Sequence, residues 1–187
     1  FYIFDGCSQQ ETVDNNDLFI QDGLIYKKFT NSPFTGKVSG TVQASVKNGK
    51  FHGDFIEYFN LTKENPRHNA NGTIFIKTSY KNGEIDGDYE EYQCRTTIKS
   101  YCDRIIRKKY TVRNGIYIGE FIMNYQNGVL LKKKKCINGF LEGRYLTRWN
   151  NGKVMDDFNC KKGFCKGTIG GAYVERKPLN GSPECYE

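Results

Sequence analysis

Short runs of alternating apolar and polar residues are separated along this chain by turns that contain Asn-Gly. Between Asn114-Gly115 and Gln126-Asn127-Gly128, for example, one such run leads up to Tyr125. Alternation with a period of two predicts strands, and Asn-Gly between such runs predicts β-hairpins because both residues tolerate positive φ. No long segment has the i, i+3, i+4, i+7 spacing of an amphipathic helix, so the chain is predicted to be all-β with little or no helix.

The Asn-Gly turns belong to a unit that recurs along the chain. Asn-Gly is followed by three residues and a second glycine, which is Gly53, Gly87, Gly119 or Gly143. A partial copy before these ends at Gly36, and a degenerate copy after them, with Lys162-Gly163 in place of Asn-Gly, ends at Gly167. The last two intervals, from Gly119 to Gly143 and from Gly143 to Gly167, are equal and define the repeat period. We therefore expect each unit to be one hairpin, joined to the next by a second glycine-rich turn. Such units would form a repetitive antiparallel meander in one elongated, twisted sheet.

Interval lengths divide the chain into three predicted parts. The repeat array occupies 23–169, and its longer intervals, from Gly53 to Gly87 and from Gly87 to Gly119, indicate loop insertions near 60–73 and 94–102. Residues 1–22 precede the array as an N-terminal extension, and the tail 170–187 matches no unit.

Two positions of the unit are predicted to form apolar rows on one face of the sheet. The position two after the second glycine is aromatic at Phe55, Tyr89, Phe121 and Tyr145. The position two before it is apolar at Phe51, Ile85, Tyr117, Leu141 and Cys165. Burying each large side chain contributes roughly 1.5–3 kcal/mol, so a packed core is favoured over a ligand-binding aromatic cage.

The repeat unit, with its inner Asn-Gly hairpin turn and its regular period, resembles the MORN repeat in the variant form of bacterial YwqK-like proteins. The segment 23–38 resembles the lead-in of that family, and the resemblance covers about residues 23–167. It implies a β-hairpin repeat fold with no shared catalytic residues. Many members are named antitoxins, and related arrays are associated with membrane-adjacent scaffolds, with lipid binding proposed for some. The cysteines, the inserted loops and the tail depart from the family and indicate a specialised, exported member.

The net charge of +7 and a pI of about 9.0 raise the question of an anionic partner. The only dense basic run is Lys132-Lys133-Lys134-Lys135. In a strand these four side chains alternate between faces, so they cannot form a single-face phosphate groove by themselves. Lysine-rich sheet edges are therefore favoured over nucleic-acid binding, and the four lysines remain candidate contacts to an anionic partner such as a membrane surface.

Seven cysteines, two histidines and no Cys-x-x-Cys favour disulfides in an oxidising compartment over a structural zinc site, with buried free thiols as the alternative. A Cys94–Cys102 bond is predicted to close the inserted loop. Cys185 is predicted to fasten the tail to Cys160 or Cys165.

Cys136 and Cys160 lie one repeat period apart, at equivalent places in two units. One intervening strand would put them roughly 9.5 Å apart, so a bond between them is disfavoured. Cys136 and Cys7 are left without a predicted partner. The N-terminal Phe-Tyr-Ile-Phe before Asp-Gly-Cys7 fits either the end of a signal peptide running into a lipid-modified cysteine or an apolar strand.

No catalytic motif is present: the chain lacks a Ser-His-acid order, HExxH and a phosphate-binding P-loop. No apolar stretch is long enough to predict a transmembrane helix. We expect no enzyme activity, no cofactor, no metal and no small-molecule substrate. The chain is expected to be an exported protein-binding scaffold or a self-assembling subunit of a surface structure. The alternatives are a module for anionic membrane surfaces and an antitoxin-like inhibitor.

Overall fold

A computed structural model describes residues 10–59, 72–96, 102–176 and 185–186. Within these ranges the chain forms seventeen strands and one turn of 3₁₀ helix at Asn15–Asp17. The strands are β1 Thr12–Asp14, β2 Leu18–Gln21, β3 Leu24–Lys27, β4 Gly36–Ser39, β5 Val42–Lys47, β6 Lys50–Tyr58, β7 Ile74–Lys81, β8 Glu84–Ile85, β9 Gly87–Thr96, β10 Cys102–Arg113, β11 Ile116–Asn124, β12 Leu130–Ile137, β13 Phe140–Leu141, β14 Gly143–Arg148, β15 Val154–Lys161, β16 Phe164–Ile169 and β17 Ala172–Arg176.

Fifteen of the strands form one sheet, whose main order is β1-β4-β5-β6-β7-β9-β10-β11-β12-β14-β15-β16-β17. The short strands β8 and β13 pair with β7 and β12, and β2 and β3 form a separate hairpin. Every pairing is antiparallel except that of β1 with β4. From β4 onward the strands follow chain order, so the predicted all-β meander of hairpins is confirmed.

The hairpin turns have the type I′ geometry that Asn-Gly favours. At Asn82-Gly83 the φ angles are 54° and 89°, and at Asn114-Gly115 they are 50° and 73°. Lys162-Gly163 adopts the same geometry with φ angles of 49° and 79°. Two successive positive φ values define a type I′ turn, whose twist matches the twist of the flanking strands.

The second glycine of the unit lies within a strand or at its start, rather than in a separate turn. Gly53, Gly119 and Gly143 have positive φ. Gly167 is required for a different reason, because a Cβ there would collide with the backbone oxygen of Asp157. The turn is therefore confined to the Asn-Gly pair, and the next strand begins directly after it.

Strand pairing continues across both predicted ends of the repeat array. The β2–β3 hairpin spans the boundary at 22 and 23, and β17 extends the sheet beyond residue 169. The strands β9 and β10 also enter the second predicted insertion, since they reach Thr96 and start at Cys102. The remainder of the insertions, 60–71 and 97–101, and residues 177–184 and 187 of the tail lie outside the described residues.

Apolar side chains on one face of the sheet form two buried clusters joined by stacked rings. The first cluster contains Val13, Ile25, Phe34, Val38, Ala44, Val46 and Phe55. The second contains Cys136, Leu141, Phe158, Cys160, Cys165 and Cys185. Between them, the ring of Tyr110 stacks on those of Tyr89 and Phe121, with centroid distances of 4.5 Å and 5.4 Å. Tyr89 and Phe121 are buried, and Tyr145 is half-buried against Phe158.

Candidate functional site

A β-bulge recurs in the second strand of successive hairpins. In β7, β10, β12 and β15 the register with the preceding main strand skips one residue, and the skipped residues are Phe75, Arg107, Leu131 and Met155. The last three are evenly spaced by the repeat period, so they occupy one position of the unit. A bulge bends its strand and re-aims the extra side chain, and bulges are frequent beside functional sites.

Three of these bulged residues line one cavity of about 500 Å³. We call it the bulge cavity, and its principal lining residues are Phe59, Phe75, Tyr92, Arg107, Met123 and Leu131. Its volume is in the range of small-ligand pockets. The cavity lies where both predicted insertions leave the sheet, because Phe59 directly precedes 60–71 and the hairpin of Tyr92 and Arg107 contains 97–101.

Aromatic rings form the apolar wall of the bulge cavity. The rings of Phe59 and Phe75 meet with centroids 4.9 Å apart. Tyr92 is buried, and its ring is covered by the guanidinium of Arg104 at 4.4 Å from the ring centroid. A partner ring that entered beside these residues could make further edge or stacked contacts.

Polar side chains of the cavity wall are already used to hold its frame. The Gln93 side-chain amide donates to the backbone oxygens of Tyr125 at 2.8 Å and Gln126 at 3.2 Å. The Asn124 amide donates to the backbone oxygen of Ile106 at 2.8 Å, beside the bulge at Arg107. These bonds fix the inner turn and the bulge relative to each other.

Glu91 is a buried carboxylate that contacts Arg107, a lining residue of the cavity. It accepts a hydrogen bond from the Tyr89 hydroxyl at 3.1 Å, and it lies 3.3 Å from Arg107 Nη1 and 3.5 Å from Lys108 Nζ. Burial and the charge of Glu91 raise the pKa of the Tyr89 phenol, so that hydroxyl remains a donor at neutral pH. Arg107 keeps 48% of its side chain exposed.

The lysine run does not form one cationic surface. Lys134 is buried, and its Nζ lies 4.5 Å from the ring centroids of both Tyr117 and Phe121. Lys133 projects from the opposite face and pairs with Glu120 at 2.9 Å. Lys132, on the same face as Lys134, lies over the Tyr145 ring at 5.8 Å, and Lys135 is exposed. The strand thus divides the four predicted contacts between two faces.

Two disulfides stand at the C-terminal end of the sheet. Cys136 bonds Cys185 with 5.7 Å between their Cα atoms, and Cys160 bonds Cys165 with 4.1 Å. The prediction that Cys185 bonds Cys160 or Cys165 is wrong. Those two residues lie opposite each other across one hairpin and bond locally. Cys185 in the tail bonds Cys136 instead, which lies on β12, two strands from Cys160 on β15 in the main order. Cys136 and Cys160 are not bonded to each other.

Cys94 is also disulfide-bonded. In the strand register it lies opposite Arg104, while Cys102 lies opposite Thr96. The Cys102 side chain is outside the described residues, so the Cys94–Cys102 pairing stays a prediction. Cys7 and its lipid modification also lie outside them.

The described residues contain no group of three or more His, Cys, Asp or Glu side chains that could hold a metal ion. Over the same ranges, the structure has no helix of sufficient length and apolarity to cross a membrane.

Sequence reasoning missed the bulged residues. Their residue types differ from unit to unit, and a bulge has no sequence signature comparable to Asn-Gly. The equal spacing of Arg107, Leu131 and Met155 was the one available signal, and it marks a shared position only once the strand register is known.

The comparisons with known proteins found no match for this chain. No family model matches the chain, and neither a curated protein nor a solved structure matches it. The resemblance to MORN repeats rests on the repeat unit itself and stays a prediction.

Proposed function

We propose that this chain is a non-enzymatic, exported repeat protein that binds other proteins through the edge of its sheet, as a scaffold or as a subunit of a surface assembly. The observation that carries the proposal is the edge strand β17, Ala172–Arg176. It pairs with β16 on one side, and no strand among the described residues pairs with its other side.

Backbone geometry makes β17 a suitable edge for strand addition. Ile169 and Ala172 pair across the two-residue turn that joins β16 to β17. Because such a turn closes on a hydrogen-bonded pair, Tyr173 and Glu175 direct their backbone N–H and C=O groups outward. The Tyr173 side chain is 67% exposed. An extended segment of a partner, or of a second copy, can hydrogen-bond to these groups.

The disulfides support export. Such bonds form and persist in oxidising compartments and are rare where thiols are kept reduced. Cys136–Cys185 and Cys160–Cys165 are both buried, so they serve the packed structure rather than surface chemistry.

The alternative of an anionic membrane surface has weaker support. A lipid-binding lysine must present its ammonium to the headgroups. Lys134 is instead buried on aromatic rings, and Lys133 is paired with Glu120. The antitoxin alternative rests on the resemblance alone.

Light scattering across a range of protein concentrations tests the subunit version of the proposal. Self-association is expected, and Tyr173→Pro should abolish it because proline removes an outward N–H without removing a bond to β16. Tyr173→Thr, which keeps that N–H, is the matched control and should still associate. A monomer at every concentration would reject the subunit version.

Hydrogen exchange on the monomer tests the edge itself. The amides of Tyr173 and Glu175 should exchange rapidly, and the amide of Val174, which faces β16, should be protected. Protection of all three would show that the edge is covered and would defeat the scaffold version as well. Vesicles with and without anionic lipid, compared at low and high salt, test the membrane alternative, which requires salt-sensitive binding.

A further inference from the structure

We propose that the bulge cavity binds an aromatic side chain that stands next to a carboxylate in an acidic segment of a partner protein. The inference rests on the proposed protein-binding function, but it assigns a second contact on a surface other than the β17 edge.

Polar side chains in the cavity wall already hydrogen-bond to the protein backbone. The amides of Gln93 and Asn124 donate to backbone oxygens of the frame. Recognition of a sugar or a base edge needs polar groups that converge on the ligand. What the wall presents instead is the set of rings and aliphatic chains of Phe59, Phe75 and Leu131. An aromatic anchor suits such a wall, because aromatic pairs gain energy beyond their buried area.

The cavity wall carries a positive charge that can bind a further carboxylate. Arg107 lines the cavity and remains 48% exposed, and its Nη1 lies 3.3 Å from Glu91. A guanidinium has five N–H donors, so Arg107 can bind a second carboxylate. Glu91 does not depend on Arg107 alone, since Tyr89 donates to it and Lys108 lies 3.5 Å away.

Arg104 adds a second cation beside the aromatic wall. Its guanidinium lies over the Tyr92 ring, and none of the described carboxylates lies within ion-pair distance of it. Cation–π contact leaves the N–H edges of a guanidinium available for hydrogen bonds. Glu90 also lies beside Tyr92, whose hydroxyl donates to it, and it pairs with Lys109 at 2.8 Å. The surroundings of the cavity therefore hold four cations and two carboxylates: Arg104, Arg107, Lys108 and Lys109, against Glu90 and Glu91. This excess selects an anchor with acidic neighbours.

Methyl NMR provides a direct test, because the chain has two methionines and one of them lines the cavity. Met123 is a cavity residue, and Met155 occupies the bulge of the next unit and serves as an internal control. The full chain with ¹³C-methyl methionine is titrated with the peptide acetyl-Gly-Asp-Trp-Asp-Gly-amide. Ring-current shifts are expected at Met123 and not at Met155. The same peptide with Ala for Trp, or with Asn for both Asp, should bind at least about tenfold more weakly.

Variants of the protein separate the anchor from the charge. Leu131→Trp fills the cavity and should abolish the Met123 shifts, whereas the volume-conserving Leu131→Met should preserve binding. Arg107→Gln should weaken binding about tenfold. Arg144→Gln removes an exposed, carboxylate-paired positive charge outside the cavity and should change affinity less than about twofold. Far-UV circular dichroism confirms the fold of each variant.

Several results would overturn the inference: no Met123 shift with the Trp peptide, equal shifts at both methionines, equal binding of the Ala peptide, or equal losses in Arg107→Gln and Arg144→Gln. These outcomes are distinct from a failure of the proposed edge function. Leu131→Trp should leave light scattering unchanged, and Tyr173→Pro should leave the Met123 titration unchanged.

Discussion

Removal of the Cys136–Cys185 disulfide is expected to cost more stability than removal of Cys160–Cys165. The two bonds have similar surroundings, since all four cysteines belong to one buried cluster. They differ in the loop that they close, with sequence separations of 49 and 5 residues. In the chain-entropy account, restriction of the unfolded chain is worth about 4 kcal/mol for the first loop and about 2 kcal/mol for the second.

Urea unfolding of two double variants measures this difference. Cys136→Ala/Cys185→Ala and Cys160→Ala/Cys165→Ala each remove two buried sulfur atoms, so the lost packing largely cancels in the comparison. Alanine avoids the buried hydroxyl that serine would introduce. Unfolding is followed by far-UV circular dichroism and by fluorescence of the single tryptophan, Trp149. The free energies of unfolding in water should differ by about 2 kcal/mol.

Equal losses of stability in the two double variants would refute the loop-closure account. If loss of Cys160–Cys165 costs as much as loss of Cys136–Cys185, loop closure is not the main source of stabilisation. Local packing of the β15–β16 hairpin would then be the better account.

Three further predictions concern the core, the sheet and pH. Lys134→Ala should lower the free energy of unfolding by about 2 kcal/mol, because it removes the aliphatic stem and the cation–π contacts. Lys134→Met should recover about half of that loss, since it restores the stem without the charge. A wild-type stability for Lys134→Ala would refute a role for both. Gly143→Ala should lower the free energy of unfolding by roughly 1–2 kcal/mol, because alanine must adopt the positive φ of Gly143. Gly167→Ala should lower it by more, because the new Cβ would collide with backbone atoms of the neighbouring strand. Equal melting temperatures of the two variants would contradict this. The hydrogen bonds from Arg144 lower the pKa of the Asp157 carboxyl in the folded protein. The stability from this pair should therefore be present above the ordinary aspartate pKa of about 4 and be lost as pH falls through the lower folded pKa. Asp157→Asn should flatten the acid limb of the pH-stability curve, and an unchanged curve would count against the pair.

Local chemistry explains why so much of the fold could be predicted. A type I′ turn needs two successive residues with positive φ, and few dipeptides other than Asn-Gly provide them. The turns at Asn82 and Asn114 could therefore be located from the sequence, and the flanking alternation supplied the strands. Aromatic positions such as Phe121 followed from the same periodicity.

Non-local geometry explains what could not be predicted. The partner of Cys185 depends on where the tail returns to the sheet, and no local pattern encodes that path. The separation of Cys136 and Cys160 by one repeat period predicted that they do not bond each other. Cys165 lies directly opposite Cys160 in the strand register, so these two bond and neither is available to Cys185. The lysine run shows the same limit, because alternation predicted two faces but not the burial of Lys134 on two rings.

The bulges show how a repeated backbone can produce a local site. One skipped residue per unit recurs in the register, yet that position holds Phe75, Arg107, Leu131 or Met155. Hydrogen bonding of the sheet fixes the place of the bulge but not its side chain, so this position can vary without loss of the fold. The cavity forms where the cationic and apolar members of the series stand beside the ring of Phe75. In the binding site that we propose, specificity would therefore come from the bulged positions, where the sheet fixes the backbone and the side chain differs between units.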